Sequence, residues 1–252
     1  MFCKTSILLA ILSHFFILTM ASSNPSPDAA KTWTRFRNFV EKKHEFVEEP
    51  MEHPAGEKYT IVTGGAHGAD EYAERLALAY ECRLDIKIGP NHPRAKCISP
   101  IQPTEADLYH AHESIKRANQ TLQRKSPIGT ATYFEELMVR NYFIARQSYA
   151  LYAFGYLDAN KTTVKGGTGW TVQLALDMGK RVYLFDLTDN QWYEFIYYHL
   201  QNDSYVKKCQ FQLLKSACSL TLYDHVGIVG SRNFTEQGKK EMRHLFRRTF
   251  LR

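Results

Sequence analysis

Three glycine-rich turns constrain the fold of this chain more than any other sequence feature. The first turn follows the β-branched run Thr60–Thr63 and leads into a helix predicted from Ala69. Glycine lets the backbone adopt positive φ and lets a ligand approach the main chain, and the N-terminus of a helix attracts an anion such as phosphate. One such turn alone is also compatible with a plain link between strand and helix, so the interpretation depends on all three. The turns comprise residues 63–70, 166–169 and 230–233.

The rest of the chain alternates short apolar runs with stretches of helical periodicity. This alternation predicts an α/β fold, with a Rossmann-like open parallel sheet and helices on both faces. The predicted strands are Thr60–Thr63, Leu84–Ile88, Ala150–Phe154, Arg181–Phe185 and Val226–Val229. The predicted helices begin at Ala69 or span Ala106–Leu122, Tyr133–Arg146, Thr171–Met178, Gln191–Leu200 and Thr235–Phe250.

The N-terminal quarter of the sequence is interpreted as a leader and an arm. Residues 1–23 hold an apolar run of signal-peptide length, which predicts a secreted protein, and the alternative is a cytoplasmic protein that starts at Met20 or Met51. Residues 24–55 are interpreted as a linker with a short helix over Trp33–Val47, and residues 56–252 as a single domain. Four glycosylation sequons begin at Asn119, Asn160, Asn202 and Asn233.

Charge and cysteine content narrow the class of ligand. The net charge of +6, or +5 without the leader, is mild and forms no long basic run, so it favours a small anionic ligand over nucleic acid. The cysteines form no CxxC pair, and His92, Cys97, His110 and His112 lack the spacing of a metal site. We therefore expect no metal and no cofactor. Two disulfides are possible, but their pairing does not follow from the sequence, nor does the oligomeric state.

The three turns are predicted to form one binding site. In an open parallel sheet, ligands bind beyond the carboxyl ends of the strands, where these turns are expected to meet. Backbone N–H groups of the turns would hold a phosphate, and Ser231 and Arg232 would add a hydroxyl and a bidentate cation. The candidate ligand-binding residues are Thr63, Gly64, Gly65, Ala66, His67, Gly68, Asp70, Gly166, Gly167, Thr168, Gly169, Trp170, Gly230, Ser231 and Arg232.

Several of these positions have two open interpretations. Asp70 could accept ribose hydroxyls, or it could cap its helix and hold the turn. Trp170 could stack on a base, or belong to the core. Four further candidates, His92 and Arg94 after the second strand and Arg140 and Asn141 within the stripe of a helix, could reach a ligand or serve only the fold.

At these residues the chain resembles the SLOG superfamily of Rossmann-like proteins, which includes the DNA-processing DprA type, the Lonely Guy phosphoribohydrolases and the YpsA type. Residues 63–70, TGGAHGAD, resemble its SGGARGAD-type loop, and residues 165–169, KGGTG, resemble its GGxGT-type loop. Residues 230–232, GSR, resemble its first strand loop, which here comes last, as in a circular permutation. The resemblance implies a phosphorylated nucleoside or nucleotide-derived ligand.

One departure from this pattern concerns catalysis. Phosphoribohydrolase members have a Glu four residues after the last glycine of the GGxGT-type loop, and Gln173 stands at that position here. Because an amide cannot act as a general base, the resemblance favours ligand binding over hydrolysis of an N-glycosidic or phosphoribosyl bond. Hydrolysis stays as the alternative, and it would need another carboxylate: Asp70, Glu135, Glu136 or Asp186.

Overall fold

The computed structural model describes residues 58–129, 132–201 and 204–250, which belong to one compact unit. The predicted leader, the arm with its helix over Trp33–Val47, and the two later start positions lie outside the described residues.

Seven strands and five α-helices make up the described ranges. The strands are β1 (Thr60–Thr63), β2 (Arg83–Ile86), β3 (Ala150–Gly155), β4 (Arg181–Asp186), β5 (Gln191–Gln201), β6 (Ser204–Leu213) and β7 (His225–Gly230). The helices are α1 (Ala69–Ala79), α2 (Glu105–Leu122), α3 (Thr132–Gln147), α4 (Thr168–Asp177) and α5 (Glu236–Phe250). None of these helices is long and apolar enough to span a bilayer.

One mixed sheet holds all seven strands, in the order β2-β1-β7-β3-β4-β5-β6. The first five strands of this order are parallel, and β7, the last strand in the chain, lies between β1 and β3. Counted from β7, the parallel strands have the order 3-2-1-4-5 of doubly wound folds. This order confirms the predicted α/β, Rossmann-like class.

The two faces of the sheet are covered by different helices. Leu151, Ala153 and their neighbours pack with α2, α3 and α4, whereas Phe154 packs against Trp192 and against Phe234, next to α5. Because successive side chains of a strand point to opposite faces, the central strand β3 is buried on both sides. Its apolar sequence, ALYAFG, is typical of a strand in that position.

The prediction of a helix over Gln191–Leu200 is wrong. This stretch is strand β5, which pairs antiparallel with β4 and then with β6, a strand that we did not predict. The turn between β4 and β5 includes Asn190 at φ +60°, a conformation that Asn tolerates better than most residues. Aromatic side chains fill both faces of β5, so the period-two alternation that marks a half-buried strand is missing here.

The turns after β1 and β7 are in direct backbone contact. Ala69 N–H donates to the carbonyl of Ser231 at 3.2 Å, and Gly68 adopts φ +91°. A Cβ atom at Gly68 would lie 2.4 Å from the carbonyl oxygen of Ser231. Only glycine fits at this crossing of two loops, because it has neither the side-chain atom nor the restriction on φ.

We expect Gly68→Ala to lower the free energy of unfolding by about 2–4 kcal/mol, as strain from positive φ and the clash with the backbone add together. Gly179→Ala is the matched control: Gly179 has φ +69°, but nothing lies within 4 Å of its Cβ position. The control should lose only about 1 kcal/mol in denaturant titrations. Equal losses in the two variants would contradict the close contact at Gly68.

Candidate ligand-binding site

The three glycine-rich turns meet at a cavity of about 880 Å³ beyond the carboxyl ends of the parallel strands. Further lining comes from the loop after β2, from α3 and from the end of β3. The predicted residues that line the cavity are Gly65, Ala66, His67, Asp70, His92, Arg94, Arg140, Asn141, Gly166, Gly167, Thr168, Gly230, Ser231 and Arg232. The cavity thus lies where β7 meets β3, the point at which the strand order of a doubly wound sheet reverses.

Asp70 links two of the three turns through its carboxylate. Its Oδ2 accepts a hydrogen bond from Gly64 N–H at 3.1 Å, and its Oδ1 accepts one from Gly230 N–H at 3.0 Å. Of the two interpretations, the structure therefore places Asp70 as the residue that holds the turn, although it does not cap α1, whose N-cap residue is Gly68. Burial raises the pKa of Asp70 to about 6, against the effect of Arg140 and of the two backbone hydrogen bonds.

Arg140 and Asn141 form a buried polar pair at the wall of the cavity. The Nη1 of Arg140 donates to the carbonyl of Gly64 at 2.8 Å, and its Nε and Nη2 both donate to Oδ1 of Asn141. A guanidinium has five N–H donors, so two of them have no partner among the described residues. Nδ2 of Asn141 has one hydrogen-bond partner among the described residues, the sulfur of Met138 at 4.0 Å. Burial lowers the pKa of Arg140, and Asp70 opposes that shift.

Arg94 is bound to a buried carboxylate that the sequence analysis did not single out. Its Nη1 and Nη2 bond the two carboxylate oxygens of Glu74 at 3.0 and 2.8 Å, and the Glu74 side chain is 7% exposed. Thr63 donates to the same carboxylate, at 3.1 Å. Arg94 thus holds the loop after β2 against α1, and its charge is largely neutralised there. His92, beside it, has a pKa lowered by burial and by the positive charges of Arg140 and Arg94.

The second turn presents backbone N–H groups with no partner. Gly166 has φ +67° and Gly167 is the N-cap residue of α4, and neither has any atom within 4 Å of its Cβ position. Within the described ranges, the N–H groups of Gly167 and Thr168 make no hydrogen bond. The start of α4 is therefore open toward the cavity, and it offers the orphan donors that an anion needs.

Arg124 orients the second turn from behind. Its guanidinium donates to the carbonyls of Gly166 and Val164, both at 2.7 Å. The side chain of Asn119 in turn holds the backbone of Arg124 through two hydrogen bonds, so the amide of this sequon residue is engaged in the fold. The sequence contained no local sign of this contact, because Arg124 lies more than forty residues before the turn.

The third turn adds an exposed cation at the mouth of the cavity. Arg232 is exposed, and its guanidinium has no hydrogen-bond or ion-pair partner among the described residues. Lys165, just before the second turn, is likewise exposed and lines the cavity. The hydroxyl of Ser231 accepts a hydrogen bond from Asn233 N–H at 3.1 Å. Lys165 belongs to the KGGTG motif, and its charge was the signal that should have placed it among the candidates.

Five predicted site residues lie behind the lining rather than on it. Thr63, Gly64 and Gly68 support the first turn through the contacts given above. A Cβ atom at Gly169 would lie 1.9 Å from the carbonyl oxygen of Val164, so this glycine serves close packing. Trp170 is 3% exposed and belongs to the core, with Arg124 against its ring. The suggested stacking of Trp170 on a base has no support from this position.

Of the carboxylates considered for hydrolysis, Asp70 alone lines the cavity. Glu135 pairs with His112, Glu136 accepts hydrogen bonds from Asn91, and Asp186 accepts one from Thr188 N–H. Gln173 is buried and donates to Asp177 at 2.8 Å. In the described ranges, no three His, Cys, Asp or Glu side chains come together in an arrangement that could hold a metal ion, and Cys82, Cys97, Cys209 and Cys218 are all free thiols.

The raised pKa of Asp70 predicts an unusual dependence of stability on pH. Because its pKa is 3.8 in the unfolded chain and about 6 in the fold, the folded state binds this proton more tightly. The stabilisation that this proton gives the fold is fully present below about pH 4. It amounts to about 3 kcal/mol of free energy of unfolding, which is lost as the pH rises through 6. Asparagine does not titrate, so Asp70→Asn should not show this loss. The free energy of unfolding of the variant minus that of the wild type should therefore rise by about 3 kcal/mol between about pH 4 and pH 7.

Denaturant titrations across this pH range measure the difference directly. Asp224→Asn is the matched control, because it makes the same substitution at an aspartate whose side chain is 66% exposed. A difference between Asp70→Asn and the wild type that does not change with pH would contradict the burial of an ionisable Asp70.

No known protein family matches this chain, and no curated protein or solved structure is similar enough to it to count as a relative. The fold and the geometry of the cavity are therefore the basis on which a function is assigned.

Proposed function

We propose that this protein binds a small phosphorylated ligand of nucleoside type in the cavity at the carboxyl edge of its sheet. The observation that carries the proposal is the charge of the lining. Four cations line the cavity, Arg94, Arg140, Lys165 and Arg232, and the one lining carboxylate is Asp70. Since Glu74 neutralises Arg94, three cations face a single carboxyl group whose pKa is raised to about 6.

The phosphate is best accommodated at the start of α4. The N–H groups of Gly167 and Thr168, which make no hydrogen bond to the part of the chain that the structure describes, lie there in the field of the helix dipole, and Lys165 lies two residues before Gly167. Arg124 binds the carbonyls on the far side of this turn, which keeps acceptors away from an incoming anion. Arg232 supplies a second cation, in a fork geometry suited to phosphate oxygens.

The remaining lining suits the less polar part of a nucleoside. Tyr133, Leu137 and Tyr156 provide aromatic and aliphatic surface, and Asn141 provides an amide. A volume of about 880 Å³ lies in the range of pockets that enclose small organic ligands, roughly 300–1,000 Å³. The resemblance to SLOG proteins in the three turns supports the same class of ligand.

Hydrolysis of an N-glycosidic or phosphoribosyl bond is the second candidate, and the position of Asp70 favours it. A carboxyl group with a pKa near 6 in a ligand cavity is suited to acid–base chemistry at neutral pH. Both of its oxygens already accept backbone hydrogen bonds, however, and the amide of Gln173 is directed to Asp177. Binding without hydrolysis is therefore the function that we propose.

Binding is tested with a thermal-shift panel of inorganic phosphate, nucleoside monophosphates and ADP-ribose. A nucleotide at one hundred times its dissociation constant should stabilise the fold by about 2.7 kcal/mol. Arg232→Ala should abolish this shift while leaving the unliganded stability nearly unchanged, because the exposed guanidinium has no partner to lose. Arg83→Ala is the matched control, an exposed arginine in β2, at the amino edge of the sheet.

Three other outcomes would each correct the proposal. Stabilisation by inorganic phosphate as large as that by every nucleotide would remove the nucleoside part. A shift unaffected by Arg232→Ala would move the site elsewhere. Release of free base from any nucleotide in the panel, measured by chromatography and lost in Asp70→Asn, would replace binding with hydrolysis.

A further inference from the structure

A second cavity, of about 490 Å³, lies near the opposite edge of the sheet. It is formed between β4, β5 and residues 214–224, the segment that leads from β6 to β7. Its lining includes Tyr149 and Asp224, which immediately precede β3 and β7. Since the proposed anion site lies beyond the carboxyl ends of the parallel strands, this amino-edge cavity is a separate site.

Three tyrosine rings form part of the wall of the amino-edge cavity. Tyr149, Tyr183 and Tyr223 all line it, and Tyr149 is 67% exposed. The ring of Tyr183 is held in place by stacking on Tyr152, with centroids 5.1 Å apart and an interplanar angle of 28°. The hydroxyl of Tyr223 accepts a hydrogen bond from Arg181, which is not part of the lining.

A carboxylate that makes no hydrogen bond or ion pair among the described residues stands beside these rings, and Arg181 acts on it electrostatically from outside the lining. Glu194 on β5 lies directly opposite Tyr183 in the register of β4 and β5. Among the described residues, the side chain of Glu194 makes no hydrogen bond and no ion pair. Asp224 is the second carboxylate of the lining, and its one ion pair is a long surface contact with Lys58 at 3.8 Å. The lining contains no Lys, Arg or His, so its charge is negative.

We propose that the amino-edge cavity binds an organic cation that carries an alkylated ammonium group. The ring faces of tyrosine attract such a cation, and the carboxylate of Glu194 supplies a negative charge that balances it. Three backbone acceptors of the covering segment are already used: the carbonyls of Ser216, Leu220 and Thr221 accept bonds from Ser219, Arg248 and Tyr152. An alkylated ammonium needs few hydrogen-bond acceptors or none, so the ring faces and one carboxylate are enough to hold it.

The proposal is tested by calorimetric and NMR titration of the purified protein with choline and tetramethylammonium. The neutral control ligand is 3,3-dimethylbutan-1-ol, which has the shape of choline without its charge. Both cations should bind, and the neutral alcohol should bind at least tenfold more weakly. Glu194→Gln should weaken choline binding by about tenfold, and Tyr149→Ala should weaken it severalfold.

Two surface variants control for non-specific effects. Glu113→Gln and Tyr109→Ala change an exposed carboxylate and a ring that is 65% exposed, both on α2, and they should bind choline like the wild type. Absence of binding of both cations at millimolar concentration would overturn the proposal. Equal affinity for choline and the neutral alcohol, or binding of guanidinium alone, would do so as well. Because Arg232 is remote from this cavity, Arg232→Ala should leave choline binding unchanged, whatever its effect on nucleotides.

Discussion

The carboxylate of Asp70 is the interaction on which the carboxyl edge of this fold depends. It accepts backbone hydrogen bonds from Gly64 and from Gly230, two residues at the ends of neighbouring strands that are far apart in the sequence. Parallel strands bring their carboxyl ends to one edge, but they do not hold the loops beyond that edge together. A buried carboxylate with two charge-assisted bonds to backbone amides does so. The loops themselves can then approach so closely that position 68 tolerates only glycine.

Burial of this carboxylate has an electrostatic consequence for the cavity beside it. Desolvation raises the pKa of Asp70 to about 6, and Arg140 bonds the same turn through the carbonyl of Gly64. Asp70 is the single acidic group of the lining, against the cations Arg140, Lys165 and Arg232. The open start of α4 adds the positive end of a helix dipole to the same space. Arg140, Lys165 and Arg232 thus face one carboxyl group, and this excess of positive charge makes an anionic ligand the best match.

Particular residues show where prediction from the sequence succeeded and where it did not. The turns at 63–70, 166–169 and 230–233 were predicted to meet, and the structure brings all three to one cavity. The stretch Gln191–Leu200 was predicted to be a helix. Its aromatic residues on both faces carry no clear strand period, and only pairing with β4 makes it a strand. Arg124 and Glu74 were missed because their partners, Gly166 and Arg94, are distant in the sequence. No local pattern signals such contacts.

The sequence by itself determined the alternation of strands and helices, the positions of the glycine-rich turns and the mild positive charge. These follow from local chemistry: β-branched runs, helical periodicity, and the positive φ that glycine allows. Only the tertiary structure decided that β7 is a central strand, that Trp170 is a core residue, and that Asp70 holds two loops together. The amino-edge cavity also could not be predicted from the sequence, because its tyrosines and carboxylates come from separate strands and a connecting segment. The physical reason is the same in each case, since burial and hydrogen-bond partners are properties of residues that meet only when the chain folds.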